Sequence, residues 1–237
     1  MYTVSQTWDD IMRNPEHWFE VKVAINGVEY SQSNIMELST SQRMFSGEQP
    51  SVGACLSSEL TLRMLTPSVT IPRMATVEPY VRVTDGEQIS EWIPQGLFYI
   101  DTRDTSNNDD DLNILTLHCY DAMLKTEAMY PETTHEWPWT DADVVDEIAA
   151  AIGVSVDMRT YDVTTEAYEI PLPASYTMRE VLSNIAAMYA GNWVMTYEGK
   201  LLLIAINGIP EETSLLVDEI GDVIMFGEDA ISLVDAV

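Results

Sequence analysis

Positive charge is what this chain has least of: eleven Lys and Arg stand against 39 Asp and Glu in 237 residues, a formal charge of -28. A groove for nucleic acid needs a stripe of Lys and Arg that displaces counterions from phosphate. No such stripe occurs, so tight nucleic-acid binding is disfavoured, and attachment to anionic membranes is disfavoured by the same argument. Apolar runs of the roughly 18 residues that cross a bilayer are missing. The first residues, MYTVSQTWDDIMRNPEHW, lack a basic end followed by an apolar stretch, so the expectation is a soluble chain without an export signal. Cysteine is scarce as well. Cys55 and Cys119 cannot make a disulfide framework, and both are expected as buried free thiols in strands.

Motifs that carry chemistry are also absent. The three histidines, His17, His118 and His135, lie far apart, and no HExxH or CxxC pattern is present, which argues against a transition-metal site. There is no GxSxG elbow and no GxGxxG loop. His118 and Cys119 are neighbours on an expected strand, where consecutive side chains point to opposite faces and cannot easily share a proton. The run NNDDD at 107–111 offers oxygen ligands, but without the Gly at the sixth position and the Glu at the twelfth that a calcium loop requires. With 39 acids, no single carboxylate pair is singled out for glycoside hydrolysis. No catalytic residue, cofactor or metal is therefore expected. Trp137 and Trp139, in an acidic loop, are the one candidate stacking platform for a sugar ring, against their commoner use in a core or an interface.

What is present folds: 46% of residues are hydrophobic and 21% charged. The first 120 residues read as β. Phe19, Val21, Val23 and Ile25 alternate with Glu20, Lys22 and Asn26, and Asn26-Gly27 supplies a hairpin turn returning through Val28 and Tyr30. A second strand is expected over 56–64. A third, TVEPYVRV at 76–83, is placed at an edge or bulge by Pro79. GLFYIDT (96–102) and LNILTLHCY (112–120) are expected to pair across the Asn- and Asp-rich tip between them.

After Tyr120 the period changes to 3.6. Asp121 is expected to cap a short helix reaching about Met129, and Pro131 and Pro138 then break the chain. Thr140 caps a second helix with the stripe Val144, Val145, Ile148, Ala149 and Ile152, ending at Gly153. Thr177 and Glu180 form a capping box for a third, with Val181, Leu182, Ile185 and Ala186 as its stripe and Gly191 as its end. A hairpin follows, WVMTY (193–197) and KLLLIAI (200–206) flanking Glu198-Gly199. The tail from Asn207 has eight acids, no base and one short apolar run at 223–226.

The order of these elements, with the phrases IPRMATVEPYVRV, GLFYIDT, LTLHCYDAM and EIPLPASYTMREVLSNIAAMYAGNWVM followed by EGKLLLI, resembles the N-terminal part of the bacteriophage and prophage tail hub family, the baseplate hub and tail-tip proteins. The likeness runs over roughly 18–206. It implies an α+β chain: a tube-type β-barrel or sandwich domain (1–120), an inserted smaller α+β domain (121–206), and a segment 207–237 that returns to the first domain or starts another. Members of that family are homotrimers in which each chain has two tube-like domains; only one is evident here. The resemblance further implies a structural, non-enzymatic part of the virion tail, made in the bacterial cytoplasm, that joins the tail tube and other tail proteins to the tip. Its acids would then suit a conduit that repels DNA. The alternatives are a host-surface carbohydrate-binding or adhesion module, with Trp137 and Trp139 as its platform, and more remotely a tail-tip hydrolase.

Overall fold

The computed structural model describes residues 4–43, 45, 47, 51–107, 113–132 and 136–205, together with four two-residue strands between 214 and 233. The chain opens with a helix that its apolar spacing does not announce, α1 (Gln6–Arg13), because only Ile11 is buried. Ser5 caps it, its hydroxyl accepting the Trp8 N–H at 3.2 Å. Strands β1 (Trp18–Ile25), β2 (Val28–Ser31) and β3 (Ile35–Ser41) follow, then β4 (Ala54–Cys55), β5 (Glu59–Leu65), β6 (Thr76–Thr84), β7 (Ile93–Pro94), β8 (Phe98–Asn107) and β9 (Asn113–Tyr120). The β1–β2 hairpin turns as expected, Asn26 and Gly27 both taking positive φ (49° and 79°). The β8–β9 hairpin is also as expected and is longer than its apolar core.

These strands, except β4, form one antiparallel sheet in the order β2-β1-β6-β8-β9-β5-β3, with β7 attached to β6. Six antiparallel steps leave β2 and β3 pointing the same way, and a single 3₁₀ turn, Gln32–Asn34, joins them. A parallel pair needs a crossover of a dozen or more residues, so these two strands cannot close the ladder. The expected barrel is therefore corrected to a curled, open sheet among the described residues. Its inner face carries Val23, Ile25, Leu62, Val77, Phe98 and Leu117, all buried in one core. Phe19, expected to face inward, is instead exposed at the sheet's end, with the Trp8 and His17 rings against it.

Pro79 also departs from expectation. It sits inside the sheet, opposite Val23 of β1. Its carbonyl accepts from the Gln95 N–H at 2.9 Å, and a strand residue's N–H points to the same side as its carbonyl. The missing donor therefore falls where the neighbour of β6 changes from β8 to β7, and no ladder bond is lost.

The second core is built by helices on a small sheet. A 3₁₀ helix, Ala122–Glu127, stands where an α-helix was expected, capped by Asp121. Then come β10 (Trp139–Thr140), α2 (Asp141–Ile152), α3 (Arg159–Val163), β11 (Glu169–Ile170), α4 (Met178–Met188), β12 (Gly191–Met195) and β13 (Leu201–Ala205). The Thr140 cap, the left-handed Gly153 (φ 76°) and the reciprocal Thr177–Glu180 capping box are all observed. Gly191 does not end α4. The helix stops at Met188, Ala190 takes the left-handed conformation (φ 50°), and Gly191 begins β12.

The strand expected over 56–64 is split between the two cores. Ala54–Cys55 pairs in parallel with Asn192 and Trp193, the chain crosses over at 56–58, and β5 starts at Glu59 in the large sheet. β8 is a wall shared by both: Phe98 and Ile100 face the large core, while Tyr99 between them joins the helical one. Strand alternation sorts neighbouring side chains into different cores. In the tail, β14 (Ser214–Leu215) pairs with β17 (Ser232–Leu233), and β15 (Met225–Phe226) with β16 (Asp229–Ala230). Of the apolar run at 223–226, only Met225 and Phe226 lie among the described residues.

Candidate functional site

Among the described residues no three His, Cys, Asp or Glu side chains gather as metal ligands. His135 and residues 108–111 of the acidic tip lie outside the described residues. His17 Nδ1 is 2.5 Å from the Asn14 carbonyl, and His118 lies on the sheet's outer face, 3.8 Å from Asp104. Cys119, on the opposite face, is buried in the large core. Burial raises both thiols, Cys55 to about 11 and Cys119 to about 12, so neither is a thiolate at neutral pH. Trp137 and Trp139 stack on each other at 5.1 Å, with Tyr130 edge-on to Trp137 at 6.1 Å, and the pair rests half-buried on the helical core.

Helix α2 carries an arrangement that no sequence pattern signals. Three of its carboxylates each accept a phenol from a different element: Asp141 from Tyr189, Asp146 from Tyr161 at 2.5 Å, and Glu147 from Tyr130. Burial, then the hydrogen-bonded carboxylate, raises all three phenols, Tyr161 to about 12. A folded-state value above the unfolded one near 10 gives stability that is present below about pH 10 and is lost as pH rises through the folded value. The buried thiols act in the same direction from about pH 9. The melting temperature should thus hold to about pH 9 and fall steeply above it, and Tyr130→Phe should flatten that limb. Equal alkaline profiles for wild type and variant would mean that the Tyr130 phenol is not part of that loss.

A joint ties the two cores. The Asp121 carboxylate accepts from Ser57 Oγ (2.9 Å), the Ser58 N–H (2.7 Å) and the Met123 N–H (3.0 Å), joining the crossover at 56–58 to the start of the 3₁₀ helix. Burial raises this carboxyl above the usual aspartate range against the pull of those bonds. Arg179 from α4 reinforces the joint, donating to the Cys55 carbonyl (2.8 Å) and pairing with Glu127 at 2.6 Å. Beside it lies a groove of about 440 Å³ whose floor is Leu56, Val194, Leu202 and Ile204 and whose rim includes the Asp157–Arg159 pair. Arg43 and Glu198 also line the groove, whose apolar part offers area for packing.

Most of the scarce bases have partners within the chain, several of them in exposed surface pairs. Seven of the eleven are in ion pairs: Arg13, Lys22, Arg63, Arg82, Arg159, Arg179 and Lys200. Two more hold backbone carbonyls. Arg103 donates to Ile71 and Pro72, and Lys125 donates to Ile152 at the carbonyl end of α2. Most of the 39 acids are left without a cation of their own, so the outward field is negative.

No protein-family model and no curated protein matches the chain in sequence. Its fold is found in solved tail proteins. The 43 kDa tail protein of prophage MuSo2 from Shewanella oneidensis superposes with a TM-score of 0.54 at 12% identity, over 78% of this chain and 53% of that one. The tail protein from Neisseria meningitidis MC58 does so with a TM-score of 0.51 at 15% identity, over 78% and 51%. The chain spans about half the length of each.

Proposed function

We propose that this chain is a structural, non-enzymatic component of a phage or prophage tail, acting at the tip as part of the hub that joins the tail tube to the tip. The fold it shares with two tail proteins carries this reading. On it, residues 1–120 and 121–206 correspond to a tube-type domain and its insert. Copies assemble as a homotrimer with other tail proteins in the virion, and the acids line a conduit. The pairing of seven of the eleven bases with carboxylates of the same chain supports the conduit, because a passing phosphate would have to displace an acid already in place.

Copies carrying -28 repel over a Debye length of about 10 Å at 0.1 M salt. Self-association measured by sedimentation should therefore strengthen from about 0.02 to about 0.5 M NaCl, with no binding of duplex DNA at any point. Association that weakens with salt would point to contacts made by complementary charge, and DNA binding at any salt would remove the conduit.

A further inference from the structure

One exposed apolar surface differs from the others in its charge. The segment 165–176 lies almost wholly open, with Tyr168, Leu172 and Tyr176 exposed at 40%, 49% and 50%. Met129 joins them at 56% exposure. Backbone pairing on either side holds this segment against Tyr130 and against 139–141. The Tyr130 N–H donates to the Tyr176 carbonyl and the Asp141 N–H to the Tyr168 carbonyl, each at 2.9 Å, while Trp139 pairs with Ile170. Pro173 is buried beneath the segment, and the Tyr168 ring packs on Tyr189 at 5.5 Å. The surface is thus preformed.

Its rim is acidic. Glu166 and Glu169 are exposed within the segment, and Glu132 and Glu136 are exposed close in sequence to the Tyr130 and Trp139 that pair with it. From 126 to 178 the sequence holds a single Lys or Arg, Arg159, whose guanidinium is taken by Asp157. Trp18 and Phe19 form a second exposed apolar pair, but there each nearby base comes with its own acid, Arg13 with Asp10 and Arg82 with Glu20, so the local charge is closer to balance.

We infer that the segment 165–176, with Met129, is a docking surface for a basic, apolar-faced stretch of a different polypeptide. Charge complementarity selects this occupant. A second copy presenting this same face would bring the same glutamates, and nucleic acid would bring phosphate, so neither supplies the positive charge that this face lacks, and contacts between copies fall on other surfaces. Trp137 and Trp139 lie against each other and Tyr168 packs on Tyr189, which leaves Tyr176 as the most open ring, and a neutral sugar would leave the glutamates unanswered. A partner with alternating Lys and aliphatic side chains satisfies the exposed leucine, methionine and tyrosines and the four glutamates together.

The test titrates the full chain, at about 0.15 M salt to suppress general polyanion binding, with two short peptides of equal charge, one alternating Lys and Leu, the other Lys and Gly. The Lys-Leu peptide should bind about tenfold more tightly, with hydrogen-exchange protection at 128–132 and 165–176. The double variant Leu172→Asp, Tyr176→Asp should abolish that preference with little change in melting temperature, both side chains being half exposed. Glu166→Lys with Glu169→Lys should weaken both peptides. Equal affinity for the two peptides, protection elsewhere, or a preference that survives the Leu172 and Tyr176 changes would overturn the proposal. So would self-association lost on Leu172→Asp, or neutral oligosaccharide protecting the same residues, since either assigns the surface to another occupant.

Discussion

Replacing Asp121 with alanine is expected to cost about 4 kcal/mol of stability, a large part of the total for a chain of this size. The change leaves the N–H groups of Ser58 and Met123 without an acceptor in a place closed to water, while the half-buried Ser57 hydroxyl keeps the Ser58 carbonyl at 3.4 Å. Each orphaned buried donor costs about 1 to 3 kcal/mol, and the two are lost together. Asp121→Asn keeps one oxygen and should cost about half as much, its amide facing an N–H in place of a carboxylate oxygen. The measurement is a urea midpoint at constant slope, followed separately by tryptophan fluorescence, which weights the helical core through buried Trp193, and by far-UV dichroism. A loss below about 1 kcal/mol would mean that packing, and not this carboxylate, holds the crossover. Transitions that coincide in wild type and separate in Asp121→Ala would mean that the joint is what makes the two cores unfold together.

Gly191→Ala should be nearly as damaging, at about 3 kcal/mol, although its backbone is not in the left-handed region. A Cβ there would lie 2.6 Å from the Ile204 carbonyl oxygen and 3.1 Å from the Ala205 Cα, and both are backbone atoms of the partner strand. The β12–β13 ladder must open to admit a methyl group. Gly153 is the control: it has φ 76° and nothing within 4 Å of a Cβ, so Gly153→Ala should cost only the strain of a left-handed alanine, about 1 kcal/mol. If the two variants melt alike, close approach of strands is not the reason for glycine at 191.

Both positions show where reading the chain alone runs out. Asp121 is legible as a helix cap, because its partner Met123 is two residues away. Its second task, holding Ser57 and Ser58, depends on residues more than sixty positions earlier, which no local pattern names. Gly191 after a helical stripe reads as a terminator, yet what demands glycine is the strand returning at 204–205. The alternation through 56–64 hides a change of sheet at 56–58, since both sheets bury the same period-two pattern. The three phenol–carboxylate pairs on α2 left no trace at all. Their members are 15 to 48 residues apart, and Tyr with Asp or Glu at such distances is ordinary composition.

The features that the chain determined by itself are those whose physics closes within a few residues. The Asn26-Gly27 turn, the Thr140 and Thr177 caps and the stripes of α2 and α4 all depend on groups one or two turns away. Composition likewise settled the sign of the field, because eleven bases cannot balance 39 acids in any arrangement. Tertiary structure decided the rest. It set which sheet Ala54–Cys55 joins, why Pro79 can stand inside a sheet, why the ladder stays open between β2 and β3, and how β8 serves two cores. It also stacked Trp137 on Trp139 and left 165–176 uncovered. In every such case the residue type fits several environments about equally well, and the choice is made by atoms that folding brings from distant parts of the chain.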